Sequence, residues 1–248
     1  MAIGTRSYAQ PFLPSDRIPP GVKALLISNV AIFLLLFFGR GSLDPVARDL
    51  VLVPSDVVRS LMVWQLATHL FIHTRSMLWP VVWNMLALWM FGGDLERAWG
   101  TQRFIRFYIL CGAAAGACSV AAAYAFASPD EIVAGAFSSI YAVLAACAAL
   151  WPDRMILAFL VFPMQLRYFM LVMAGILFLV SWGGSLLGLV QLTGLIFGYV
   201  WVKTPRVGGF DPLAWVGAGY KAWKLKRAKR KFQVYLKRQR SDQDRWVN

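Results

Sequence analysis

The sequence predicts an all-α membrane protein: six transmembrane helices in one bundle, both termini cytoplasmic, and a basic C-terminal tail. Three observations carry this. Of the 248 residues, 59% are hydrophobic and only 15% charged, against about 45–50% and about 25% in a soluble domain; mean hydropathy is +0.58. Six stretches approach the roughly 20 apolar residues that a spanning helix needs. The basic residues are distributed unevenly around those stretches. A disordered chain, a collagenous fibre and an ordinary soluble enzyme are excluded on these grounds.

Residues 1–22 read as a polar, proline-dotted cytoplasmic segment without a signal-peptide pattern. The first span is expected over 23–39. A long outer loop follows, and within it 61–72 is apolar but short and contains Gln65 and His69. The second, third and fourth spans are expected over 79–95, 104–127 and 134–151. Residues 155–165 are again apolar but short; like 61–72 they read as a re-entrant or interfacial piece. The fifth and sixth spans are expected over 167–182 and 185–202. The membrane domain is thus 23–203, with a partly helical tail over 204–248.

An even number of spans puts both termini on one side, and the positive-inside rule selects it. With the N-terminus inside, 21 of the 25 Lys and Arg face the cytoplasm. The others, Arg40, Arg48, Arg59 and Arg75, share the outer loop. From Lys203 onward the chain has 13 basic and 3 acidic residues, so the tail alone has about ten of the thirteen net positive charges. Trp215, Tyr220, Trp223, Phe232 and Tyr235 are interleaved with Lys and Arg, as in a helix lying on anionic lipid. A plain orientation signal is the bland alternative; nucleic acid is the less favoured one. Cys111, Cys118 and Cys147 lie in apolar stretches, without disulfide or metal spacing, and read as small apolar residues.

Polar residues inside the spans form an ordered series. WQLATHLFIH at 64–73 is followed by NMLALWMFGGDLERAWGTQRFIRFYILCG at 84–112, GAFSSIYAVLAA at 135–146, FP at 162–163 and QLTGLIFG at 191–198. In order and spacing this series resembles the rhomboid family of intramembrane serine proteases, over about residues 20–203. The resemblance implies a six-helix rhomboid bundle. It also implies a catalytic serine at the start of span four in Gly-x-Ser-Gly, a general-base histidine on span six in His-x-x-Gly-x-x-x-Gly, and an oxyanion-holding His-x-x-x-Asn on span two. Substrates of the family are transmembrane segments.

Carried over residue by residue, Gly135, Gly194 and Gly198 match the motif glycines, and Glu96 and Gly100 match structural positions. Phe137 falls where the serine should be, Gln191 where the base should be, and Pro80 where the span-two histidine should be. Asn84 alone is retained. Ser138 is the nearest candidate nucleophile, but a helix turns about 100° per residue, so it points away from the span-six partner. A serine needs an adjacent base. The chain has two histidines, His69 and His73, both before span two, and no lysine between Lys23 and Lys203.

The expectation is therefore an inactive rhomboid, a pseudoprotease similar to derlins, that binds transmembrane client proteins for quality control, trafficking or presentation to another protease. Asn84, Phe137, Ser138 and Gln191 are expected to line the old site. An active intramembrane serine endopeptidase with an unconventional site, and a membrane scaffold acting through the basic tail, are the alternatives. Gln191 is expected to bond Ser138 or Tyr141 across the helices, and Ser138 and Ser139 to bond backbone carbonyls or a neighbouring helix. Glu96 is expected to bond backbone groups of the following loop. No cofactor is called for, and no metal: His69 and His73 stand at i, i+4, but no third ligand is in view. Gly194-x-x-x-Gly198 is expected to pack internally against span four, which leaves the oligomeric state open. A bacterial inner membrane is the simplest setting.

Overall fold

A computed structural model describes residues 18–73, 78–158 and 162–204. Most of the N-terminal segment, and the basic tail after Thr204, lie outside the described residues. Helix α1 (Pro20–Phe38) begins with proline in its first turn, where a missing N–H costs nothing. Its buried positions 22, 25, 29, 33 and 36 are spaced by three and four residues, the stripe of a helix packed on one side. Ile27 and Leu35 lie exposed away from it.

The outer loop folds into three short helices, α2 (Asp44–Leu50), α3 (Pro54–Arg59) and α4 (Gln65–Thr68), and a 3₁₀ turn at His69–Phe71. Buried Gln65 accepts the Val53 N–H at 3.1 Å, and the Thr68 hydroxyl donates to the Leu50 carbonyl at 2.8 Å. Leu52 pairs with Val133 through two backbone bonds, which ties the loop to the approach to α8.

Helices α5 (Trp79–Ala87) and α6 (Gly93–Trp99) are one continuous helical run, interrupted by a π turn at Leu88–Gly92. Gly100, at φ +82°, ends it in the left-handed region that favours glycine. Helix α7 (Thr101–Phe126) follows at once, then α8 (Phe137–Leu150), most of which is buried. Helices α9 (Leu166–Trp182) and α10 (Leu186–Lys203) complete the bundle, α10 lying against both α8 and α7. Each of the six apolar stretches is helical. Helices α1, α7 and α10 are long and apolar enough to cross a membrane, while α8 and α9 are shorter apolar helices.

The chain departs from the expected all-α class between α8 and α9. Strands β1 (Met155–Ala158) and β2 (Phe162–Gln165) form an antiparallel hairpin that pairs Met155 with Gln165 and Leu157 with Pro163. No Gly, Asn or Asp stands between these strands to announce a turn, so the run reads as featureless apolar sequence.

Glu96 corrects a second expectation. Its carboxylate does not serve the following loop's backbone but reaches back 75 residues to the first turn of α1. It accepts the N–H groups of Gly21 at 2.7 Å and Val22 at 2.6 Å, and the Thr101 hydroxyl at 2.6 Å. The first N–H groups of a helix have no partner within it, and the helix dipole favours an anion there. A carboxylate only 2% exposed is tolerable because its oxygens are engaged. Gly21 leaves the room: a Cβ there would lie 2.9 Å from both carboxylate oxygens.

Replacing Glu96 by Ala strands three donors and should cost about 2–4 kcal/mol. Thermal unfolding in detergent should show a fall in Tm of roughly 5–15 °C. Gly21→Ala should fall in the same direction, and the double variant should lose less than the sum, since both break one contact.

Candidate functional site

The site positions gather where α8 begins. Gly135 has φ +110°, and a Cβ on it would meet the Phe137 ring at 2.9 Å, so both backbone and space require glycine. Its N–H donates to the His69 carbonyl at 3.0 Å, which hangs the start of α8 from the outer loop. Ser139, fully buried, donates to the Tyr108 carbonyl of α7 at 2.7 Å. Ser138 is 1% exposed, and its hydroxyl has no hydrogen-bond partner among the described residues.

Gly194 and Gly198 of α10 lie directly on the backbones of Ser138 and Ala142, where a Cβ on either would overlap backbone atoms. Gln191 sits one turn earlier on α10, half-buried. The expected Gln191–Ser138 bond is absent, and neither Gln191 nor Tyr141 makes a side-chain hydrogen bond among the described residues. The physical reason is the glycine contact: α10 meets the backbone of Ser138 rather than its hydroxyl. Ser138 likewise lacks the backbone or interhelical bond expected of it.

Each histidine has one ring nitrogen bonded and the other, His69 Nε2 or His73 Nδ1, buried without a partner among the described residues. His69 is fully buried, its Nδ1–H donating to the Gln65 carbonyl at 2.8 Å, with its ring packed on Gly116 of α7. His73 follows the 3₁₀ turn in extended chain, so the two are not an i, i+4 helical pair. Among the described residues no three metal-binding side chains come together. His73 turns instead to α5, where Asn84 Nδ2 donates to its Nε2 at 3.3 Å, both residues being buried. A Cβ on Gly135 would lie 3.8 Å from the His73 ring, so this histidine belongs to the site. From the sequence it belongs to the outer loop, and its one signal is its place eleven residues before Asn84. Pro80 occupies the first turn of α5.

Asn84 and Phe137 also line a cavity of about 400 Å³ between α5 and α9. Trp83, Met90, Tyr141 and Phe169 are on its walls, together with Ile156 to Ala158 of β1. Asn84, Tyr141 and the indole of Trp83 are the polar side chains of its lining. Of the four residues expected to line the old site, the structure brings Asn84 and Phe137 to this cavity, while Ser138 and Gln191 lie outside its lining.

A family model described as Rhomboid domain matches residues 60–204, more than half of the chain. The chain belongs to the rhomboid family. It is a rhomboid-like integral membrane protein, and its matched region runs from the outer loop to the end of α10. Helix α1 lies before that region and is joined to it through Glu96.

Burial pushes both histidines of this rhomboid down to about 4, from 6.5. Backbone carbonyls offset part of that effect. Both are therefore neutral at pH 7. The unfolded chain binds protons below pH 6.5 and the folded one does not, so stability is full above 6.5 and falls toward pH 4. Between pH 6.5 and 5, above ordinary carboxylate titration, the loss should be roughly 2 kcal/mol per histidine. Thermal unfolding against pH checks this, and His73→Gln should remove about half of the slope.

Proposed function

We propose that this rhomboid is a pseudoprotease that holds transmembrane segments of client proteins without cutting them. One observation carries the reading: the serine, base and span-two histidine positions hold Phe137, Gln191 and Pro80. Hydrolysis needs a nucleophile and a base within hydrogen-bond reach. Among the described residues the Ser138 hydroxyl has no hydrogen-bond partner; the Nε2 of His73 is engaged by Asn84, and the unpartnered Nε2 of His69 makes no bond to Ser138.

What the site offers is binding. The cavity between α5 and α9 is apolar, as a transmembrane helix demands, and Asn84 supplies a polar handle at membrane depth. Phe137 fills the place of the nucleophile. Such a client is retained, escorted or presented to a separate protease.

The proposal includes six spans with both ends cytoplasmic: α1, the α5–α6 run, α7, α8, α9 and α10. The basic residues support that orientation. Helix α8 has 14 residues, about 21 Å of rise, and is sheathed by its neighbours rather than by lipid. The basic tail would meet anionic lipid on the cytoplasmic face, in the simplest setting a bacterial inner membrane.

His73 favours a second reading, a protease with a displaced base, because it sits beside Asn84 and Gly135 next to the start of α8. Labelling of the purified protein with a fluorophosphonate probe separates the two. The pseudoprotease should label no more than its Ser138→Ala variant. Labelling that is lost in Ser138→Ala, and in His73→Ala, would establish the second reading.

A further inference from the structure

Client binding uses Ile156 to Ala158 of β1 but does not account for the exposed apolar residues of the β1–β2 hairpin outside the cavity, Met155, Phe162 and Pro163. An antiparallel sheet with one face in water alternates apolar and polar residues. This one does not. In β1, Ile156 and Ala158 are buried, while Met155 and Leu157 are 50% and 55% exposed. Across the ladder, Leu157 pairs with Pro163, also exposed, and Phe162 is 66% exposed. Gln165 is the only polar residue in either strand.

The feet of the hairpin are of a different kind. Arg154 stands just before β1 and pairs with Asp94 at 2.5 Å. Arg167 follows β2, pairs with Asp153 at 3.2 Å and lies over the Tyr168 ring at 4.8 Å. Basic and aromatic side chains gather where a membrane meets water. The hairpin joins the end of α8 to the start of α9 and so lies at such a boundary. An open sheet edge is not tolerated in hydrocarbon, since its backbone groups would lack partners. Water on the apolar face and hydrocarbon on the edges are both unfavourable, and the headgroup boundary avoids both.

We propose that the β1–β2 hairpin is an interfacial membrane anchor, laying Met155, Leu157, Phe162 and Pro163 into the headgroup boundary beside α8 and α9, with Tyr168 and the ion-paired Arg167 at its foot. This rests on the reading that the chain spans the membrane. On the orientation above, the leaflet is the cytoplasmic one. Because Ile156 to Ala158 line the cavity between α5 and α9, the anchor also couples a wall of the client site to the lipid surface.

Spin labels test the proposal on the full chain in phosphatidylglycerol-containing vesicles. A Cys118→Ser background leaves Cys111 and Cys147, both buried. Labels go at Leu157→Cys and Phe162→Cys, with Asp153→Cys as the aqueous control and Leu179→Cys, 70% exposed on α9, as the spanning control. Accessibility to oxygen should exceed that to a water-soluble nickel chelate severalfold at 157 and 162, with the reverse at 153. Nickel access above oxygen at 157 and 162 would overturn the anchor. So would protection from both reagents, which means a protein cover; repeating the measurement without residues 205–248 shows whether that cover is the tail. Nickel access at 179 would remove the spanning reading and the anchor together, whereas oxygen at 179 with nickel at 157 removes the anchor alone.

Discussion

The arrangement depends on the close approach of α8 and α10. In lipid there is no hydrophobic force to drive one apolar helix onto another, so helices associate through fitted van der Waals contact, and small residues permit it. Gly194 and Gly198 let α10 rest on the backbones of Ser138 and Ala142 without an intervening side chain. That contact sets the height of Gln191 relative to the start of α8. Helix α7 then closes on α8 through Ser139 and the Tyr108 carbonyl. None of these contacts uses the side chain of Phe137 or Gln191, so the bundle's geometry does not depend on which residues stand at those two positions.

Around this pair, polar contacts join elements that are distant in sequence. The Glu96 carboxylate holds α1 to α6, and Asp94 binds Arg97 and Arg154 where α6 approaches the loop after α8. At the opposite end of α8, the outer loop holds its start through the His69 carbonyl and the Leu52–Val133 pair. Between these two belts α5 and α9 leave a cavity rather than a packed seam. A bundle fastened at both ends and open along one side suits a partner that arrives as a transmembrane helix.

The residues that could be read in advance are those whose meaning is local. Gly194 and Gly198 four apart announce a close helix contact. Gly100 after a helical run announces a left-handed stop. The blocks around Asn84, Gly135 and Gln191 carry the family. Contacts that depend on distant pairing were not legible. The partners of Glu96 lie 75 residues away, and a capping carboxylate looks the same as one bonding its own loop. The His73–Asn84 contact arises because the outer loop folds back, which no periodicity encodes. The hairpin escaped because its strands lack both alternating polarity and a turn residue. The expected Gln191–Ser138 bond failed because glycine spacing brought backbones, not side chains, together.

On the proposed function, this rhomboid holds a transmembrane segment and leaves it whole. The most direct test is a photo-crosslinking amino acid at position 137, activated in native membranes, with captured partners sized by mass spectrometry. The account predicts crosslinks to intact transmembrane proteins, unchanged in a Ser138→Ala background. Capture of truncated partners, cut within or beside a transmembrane segment and restored to full length by Ser138→Ala, would contradict it.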